Sequence, residues 1–334
     1  MALAEERKMK ILTISIAAYN VEKFLHNTLS SLILESCLMD MVEIIVEDDG
    51  SQDGTLEIAK AFQCQYPKSV VVNHCDNGGY GATINRSIKI ATGKYFKQLD
   101  GDDWFYNSNL KDFLLFLKDA DADFVITPYY NCYEGKDSIL VDNYQNVATE
   151  TCDISVINQR VHLAMHELTI RTALLKDNNV SITEHCFYTD NEFTFLPLLY
   201  AKTVVRFGKP IYCYRLGLEG QSVSIEGVKK HYNDAIVVAN KMFSQFVLAK
   251  KDIVNRVGEL MHYKLELISD TVYTYYLVVQ TNDAKKDLIA FDKLIKQNYP
   301  AIYKISDNVR KIKLLRKSNF LLYKLIGKKI LQRW

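Results

Sequence analysis

Within its first hundred residues the chain repeats one pattern: a short apolar run, a polar break, then a stretch of helical character. The apolar runs are Ile11–Ala17, Val42–Val46, Val70–Val72 and Tyr95–Leu99. Between them the spacing predicts a helix over Val21–Glu35 capped by Asn20, one over Thr55–Gln65, and one over Ala82–Ala91 closed by Gly93. Buried strands that alternate with helices call for a parallel sheet with right-handed crossovers. Phe124–Pro128 reads as a further strand. After an irregular polar stretch, helices are expected near Thr169–Lys176 and Asn191–Ala201, and strands at Val204–Phe207 and Ile211–Tyr214. From about Gly227 the pattern becomes helical throughout, over Val228–Leu248, Ile253–Val279 and Ala284–Asn298. The expectation is an α/β unit over 1–220 and a helical C-terminal region over 221–334.

Composition excludes several classes. The 334 residues are 48% hydrophobic and 24% charged, as in a globular chain with a sizeable core. A net charge of +1 offers no global field for nucleic acid. Seven cysteines without a C-x-x-C pair argue against a disulfide framework or a zinc ribbon and point to a reducing cytosol. The charged N-terminus runs into a strand and does not read as a signal peptide. No run of about 18 apolar residues is present, so no membrane-spanning helix is expected.

Three strand ends carry residues suited to chemistry: Tyr19-Asn20, Asp48-Asp49, and Asp100, Asp102 and Asp103. In a parallel sheet they share one edge, where ligands of open α/β sheets bind. Clustered carboxylates repel one another unless a cation lies among them, and a hard divalent ion with oxygen ligands answers that need. Tyr19 would stack on a base, Asp49 would accept a base N–H, and a metal held by the Asp100 cluster would meet a diphosphate. The alternative is a solvated acidic turn before a helix starting near Asn107 or Ser108.

Five segments in register bear a resemblance to a known family: I-A-A-Y-N (16–20), E-I-I-V-E-D-D-G-S-Q-D-G-T (43–55), D-N-G-G-Y-G-A-T-I-N (76–85), G-K-Y-F-K-Q-L-D-G-D-D-W (93–104) and Y-T-D-N-E-F (188–193). Over roughly residues 10–215 the chain resembles family 2 inverting glycosyltransferases of the GT-A fold. The resemblance implies that Tyr19 stacks on uracil, that Asp49 bonds it, and that Ala17, Asn77, Gly79, Asp100 and Gly101 also serve the donor. It implies Asp102 and Asp100 as ligands of Mn2+ or Mg2+, and Asp190 as catalytic base. The implied partners are a nucleotide-sugar donor, UDP first, and a glycan or lipid-linked saccharide acceptor. The implied setting is cytoplasmic synthesis of capsule, exopolysaccharide or another surface glycan. A non-catalytic sugar-binding module is the main alternative, and a nucleotidyltransferase a weaker one, since A-A-Y-N stands where a Gly-rich loop would follow the first strand.

The chain departs from the family pattern at four positions. Ala17 stands where many members have Pro, and Glu47 where an apolar residue is usual. Ile84 stands where an Arg is common, and Thr189 in place of the Glu of an E-D pair, so Glu192 is a second candidate base. D-G-S-Q-D-G (49–54) imitates a calcium loop, but its twelfth position is Lys60 rather than Glu. G-G-Y-G-A-T (78–83) lacks the third glycine of a dinucleotide fingerprint. The terminal Q-R-W lacks the spacing of a polysaccharide-synthase motif. His166 reads as structural, and His185 and Glu184 as weak acceptor-side candidates. The loop at 219–224 is an expected lid or an ordinary connector.

Val309–Trp334 holds nine Lys or Arg and no acid. Ile312, Leu315, Phe320, Tyr323, Ile326 and Ile330 recur at helical spacing. This reads as one interfacial helix on an anionic membrane, or one packed on the helical region or on a partner in a homo-oligomer.

Overall fold

The computed structural model describes residues 10–217 and 224–334. Twelve strands form in it: β1 Leu12–Ala18, β2 Val42–Asp48, β3 Val70–His74, β4 Tyr95–Asp100, β5 Trp104–Phe105, β6 Phe124–Ile126, β7 Tyr129–Tyr133, β8 Ile139–Val141, β9 Cys152–Asp153, β10 Leu168–Arg171, β11 Thr203–Arg206 and β12 Tyr212–Leu216. Eight of them build a large sheet in the order β3-β2-β1-β4-β10-β6-β11-β9, and four build a smaller one, β5-β12-β7-β8. The expected mixed α/β architecture, with helices around a central sheet and a helical C-terminal region, is the one observed.

β1, β2 and β4 are buried along almost their whole length. A strand covered on both faces is mostly apolar, which is why near-continuous runs marked these segments, and the polar residues it does bury, Glu47 and Lys97 among them, need partners. β3, β2, β1 and β4 pair in parallel. The register sets Ala17 between Glu47 of β2 and Asp100 of β4, so three strand ends meet at one edge. Gly101 keeps that edge tight. Its N–H bonds the Ala17 carbonyl at 3.0 Å, and a Cβ there would stand 2.8 Å from the same oxygen.

Three expectations are corrected. The first helix ends at Ser30, and a separate short helix covers Ser36–Met39. Asn20 does not cap it: at φ 54 its Oδ1 instead accepts the Gln52 N–H at 2.8 Å and ties the β1 and β2 ends together. The helix expected from Thr169 begins at Thr172, because Leu168–Arg171 forms β10, antiparallel to both β4 and β6. A β-branched Thr169-Ile170 pair suits a strand, and the open edge of β4 decides between the two states.

The chain forms two compact units that interleave in sequence. One takes in the chain up to Val156, Leu163–His185 and Tyr200–Leu216. The other takes in Ile157–His162, Cys186–Leu199 and the chain from Gly217 onward, so the segment with Asp190 groups with the helical region. Residues 219–223 of the expected lid lie outside the described residues.

The helical unit is built around Lys251–Val279, whose backbone kinks at Val257. Thr281 caps the next helix, Asn282–Asn298, its side chain accepting the Ala284 N–H at 3.1 Å. The expected single helix over 309–334 is two, Arg310–Lys317 and Tyr323–Leu331, separated at Asn319 and Phe320, both at positive φ. The stripe expected to face a membrane is largely spent inside the unit: Ile312, Leu315, Phe320 and Tyr323 are buried. No helix of the described residues is long and apolar enough to cross a membrane.

Candidate active site

The sheet edge built by β1, β2 and β4 carries most of the residues singled out from the sequence. Tyr19, just past β1, is 52% exposed, so its ring is available for stacking. Asn77 is exposed. Gly79 lies at φ 80, a conformation that favours glycine, and opens the helix Tyr80–Ile90. Its N–H donates to Asp49 Oδ2 at 2.8 Å, and the Gly78 N–H donates to Asp49 Oδ1 at 3.0 Å. Asp49 therefore pins the loop that carries Asn77 and Gly79.

Arg86 completes this arrangement, and it was missed in the sequence. Its Nη2 donates to Asp49 Oδ1 at 2.7 Å and its Nε to Glu47 Oε2 at 2.9 Å. Glu47 is fully buried and also accepts from Asn73 Nδ2 at 2.8 Å and Ser87 Oγ at 3.2 Å. The unusual acid at 47 is thus the counter-ion of an Arg two residues beyond Ile84. A carboxylate has about four lone-pair sites. Asp49 uses three of them on Gly78, Gly79 and Arg86, which leaves room for one further N–H. Arg86→Leu is expected to destabilise the fold by about 3 kcal/mol, since it strands two buried carboxylates. Chemical denaturation of the variant measures this.

At the end of β4, Asp100 Oδ1 accepts the Tyr80 hydroxyl at 2.6 Å. Asp102 is half-buried, and desolvation raises its pKa against the lowering pull of Arg215. Asp103 is buried, with both oxygens engaged: Tyr212 OH donates to Oδ2 and Arg215 N–H to Oδ1, each at 2.6 Å. Burial pushes its carboxyl well above the usual range, and the charges of Asp100 and Asp102 push it further. Arg215 also donates through Nε to the Asp102 carbonyl at 2.8 Å and lies over the Trp104 ring at 4.7 Å.

Asp100, Asp103 and His166 can bring one ligand atom each within 4.8 Å of one another. His166 stacks on Tyr214 at 4.1 Å. Its backbone carbonyl accepts from Lys97 Nζ at 2.9 Å, a lysine inside the sheet whose pKa burial lowers to about 7. The crowded carboxylates fit a divalent cation. Asp103 is already committed to Tyr212 and Arg215, whereas Asp102 is only half-buried.

In the helical unit Asp190 opens the helix Asp190–Phe195. Solvent reaches its side chain, yet protein crowds it enough that desolvation raises its pKa. Asn191, whose Nδ2 donates to Oδ1 at 3.2 Å, and the charge of Lys264 pull the other way. Lys264 is buried and donates to Thr194 Oγ1 at 2.8 Å, one turn along the same helix face. Glu192, the second candidate base, is fully buried and paired with Lys241 at 2.8 Å. That burial removes it from contact with solvent. His185 and Tyr188 hold positive φ just ahead of Asp190.

An open sheet with this order and a carboxylate-rich edge defines a GT-A type α/β protein. The chain belongs to glycosyl transferase family 2, whose sequence profile matches residues 13–181. It is 25% identical over 273 residues to the poly(ribitol-phosphate) beta-N-acetylglucosaminyltransferase TarS of Staphylococcus aureus, covering 81% of this chain and 45% of that protein. This chain therefore spans about half the length of that relative. The solved structure of a TarS fragment with UDP-GlcNAc superposes with a TM-score of 0.67 at 20% identity, over 96% of this chain and 92% of that one. The mannosyltransferase PcManGT from Pyrobaculum calidifontis, solved with GDP-Man and Mn2+, gives a TM-score of 0.55 at 12% identity, over 92% and 88% of the two chains.

Proposed function

We propose that the chain is an inverting glycosyltransferase that moves a sugar from a nucleoside-diphosphate sugar, UDP first, to a hydroxyl of a glycan or lipid-linked saccharide. The observation that carries the reading is the meeting of Tyr19, Asp49, Asp100 and Asp102 at one sheet edge in a member of this family. Tyr19 stacks on the base, and Asp49 accepts its N–H with the one lone-pair site left to it. Gly79, Asn77, Ala17 and Gly101 shape the surface on which the nucleotide lies, and Asp100 serves the ribose and the metal. Asp102 and Asp100 would hold a Mn2+ or Mg2+ ion, which would supply Lewis-acid neutralisation of the diphosphate leaving group. Asp190 takes the proton of the acceptor hydroxyl as that oxygen bonds the anomeric carbon and the bond to the diphosphate breaks. One displacement inverts the configuration. The TarS relative is named for a poly(ribitol-phosphate) acceptor, which makes a polyol-phosphate polymer one candidate class.

The test is release of nucleoside diphosphate from UDP-, GDP- and dTDP-sugars with and without Mn2+, beside a thermal-shift screen of the same donors. Metal-dependent UDP release is expected. A donor that raises the melting point while no diphosphate is ever released with any acceptor would favour the non-catalytic module instead.

A further inference from the structure

Nine cations lie between Val309 and Trp334, and the structure sorts them. Two are used internally. Lys311 pairs with Asp270 at 2.9 Å, and Arg316 bonds Asp292 at 2.7 Å and Asp307 at 2.8 Å. The other seven, Arg310, Lys313, Lys317, Lys324, Lys328, Lys329 and Arg333, are exposed. Large apolar side chains stand exposed among them: Leu321 at 82%, Leu325 at 55% and Leu314 at 39%.

The last helix is locked in one rotation. Tyr323 is buried and its hydroxyl donates to the Tyr276 carbonyl. Gly327 lies so close to the long helix that a Cβ would stand 2.4 Å from the Leu277 carbonyl oxygen. Tyr323 and Gly327 therefore mark the inward face. At about 100° per residue, Leu325 falls about 200° from Tyr323, with Lys328 at about 140° and Lys329 at about 240°. An exposed leucine thus sits at the centre of the outward face with a lysine on either side.

We propose that this face is a docking surface for an anionic lipid bilayer, with Leu321 and Leu325 entering the headgroup region and the flanking lysines meeting anionic headgroups. Charge complementarity selects the occupant. A soluble polyanion would satisfy the cations and leave both leucines in water. A second copy meeting the same face would set Lys328 and Lys329 against the same lysines of its partner, which disfavours a two-fold interface. A bilayer with anionic lipid takes both the leucines and the lysines. The inference does not depend on the transfer reaction.

The experiment is co-sedimentation of the full chain with phosphatidylcholine vesicles, with and without phosphatidylglycerol. The chain should pellet only with phosphatidylglycerol and release as salt rises. Lys328→Gln should weaken the partition coefficient about fivefold, and the double variant Leu321→Glu, Leu325→Glu should abolish pelleting. All three positions are exposed, and unfolding curves matching wild type verify the folds. Recovery in the supernatant whatever the lipid overturns the proposal. Pelleting that survives Leu321→Glu, Leu325→Glu together with tight binding to soluble polyphosphate assigns the face to a polyanion and overturns it too. A dimer in light scattering that the same double variant dissociates, without vesicle binding, assigns it to a second copy.

Discussion

Asp102→Asn is expected to lower metal-dependent transfer by roughly 10²-fold or more, because charge stabilisation at a leaving group is worth several kcal/mol. The fold should survive. Asp102 carries a carboxyl whose pKa burial raises, so its ionised form costs stability when no cation is bound. Its charge also adds to the strain on Asp103. Asparagine removes both effects, so the metal-free variant should melt at or above the wild-type temperature. Mn2+ is expected to raise the wild-type melting temperature, and loss of that shift in the variant should accompany loss of turnover. A variant that turns over normally in Mn2+ removes Asp102 from the metal site.

Asp190→Ala should lose transfer by ~10²–10⁴-fold, as for a missing general base, while donor binding stays near wild type. The base works only when deprotonated. Its pKa is raised above the ordinary carboxylate value, so activity should fall as pH drops through that raised value, earlier than for a solvated Asp. Lys264 opposes the rise. Lys264→Gln keeps a hydrogen bond to Thr194 and removes the charge, so the acid limb of kcat/KM should move to higher pH, and Lys264→Arg should return it. The groups that act on Asp190 include Asn191 on its own helix and Lys264 and Tyr275 on the long helix. An acid limb that stays put in Lys264→Gln, with Asp190→Ala inactive, would leave the base in place and dismiss the lysine. Collapse of donor affinity in Asp190→Ala would instead make Asp190 a donor ligand.

The sheet edge was legible because its cause is local: apolar runs of fixed length ending in Asp49 and Asp100 leave little choice of strand or direction. The partners of those residues were not legible. Arg86 sits on a helix of mixed character, and only its distance from Glu47 and Asp49 shows its role. The buried acid at Glu47 was the available signal, since a buried carboxylate needs a cation nearby. Tyr212 and Arg215 reach Asp103 from β12, more than a hundred residues away. No spacing rule links positions that far apart. His166 offered no periodic context at all. At the C-terminus helical spacing marked Ile312, Leu315 and Tyr323 as apolar but missed the break at Asn319 and Phe320, and it cannot say whether an apolar stripe meets a lipid or the long helix; those three side chains are buried, as the packing alternative has it.

The place of β10 bears on how the chain is made. β1 to β4 can assemble in the order of synthesis, each strand closing on a neighbour through a short crossover. The next position in the sheet, beside β4, belongs to residues Leu168–Arg171, not to the strand that emerges next. Until the ribosome has delivered them, β4 has an unpaired edge and β6 has no bridge to the rest of the sheet. A nascent or truncated chain ending before Leu168 would thus carry its carboxylate-bearing strand at an open border, where another unfinished chain could pair. Chaperone demand during synthesis should peak in that interval and fall once β10 is in place.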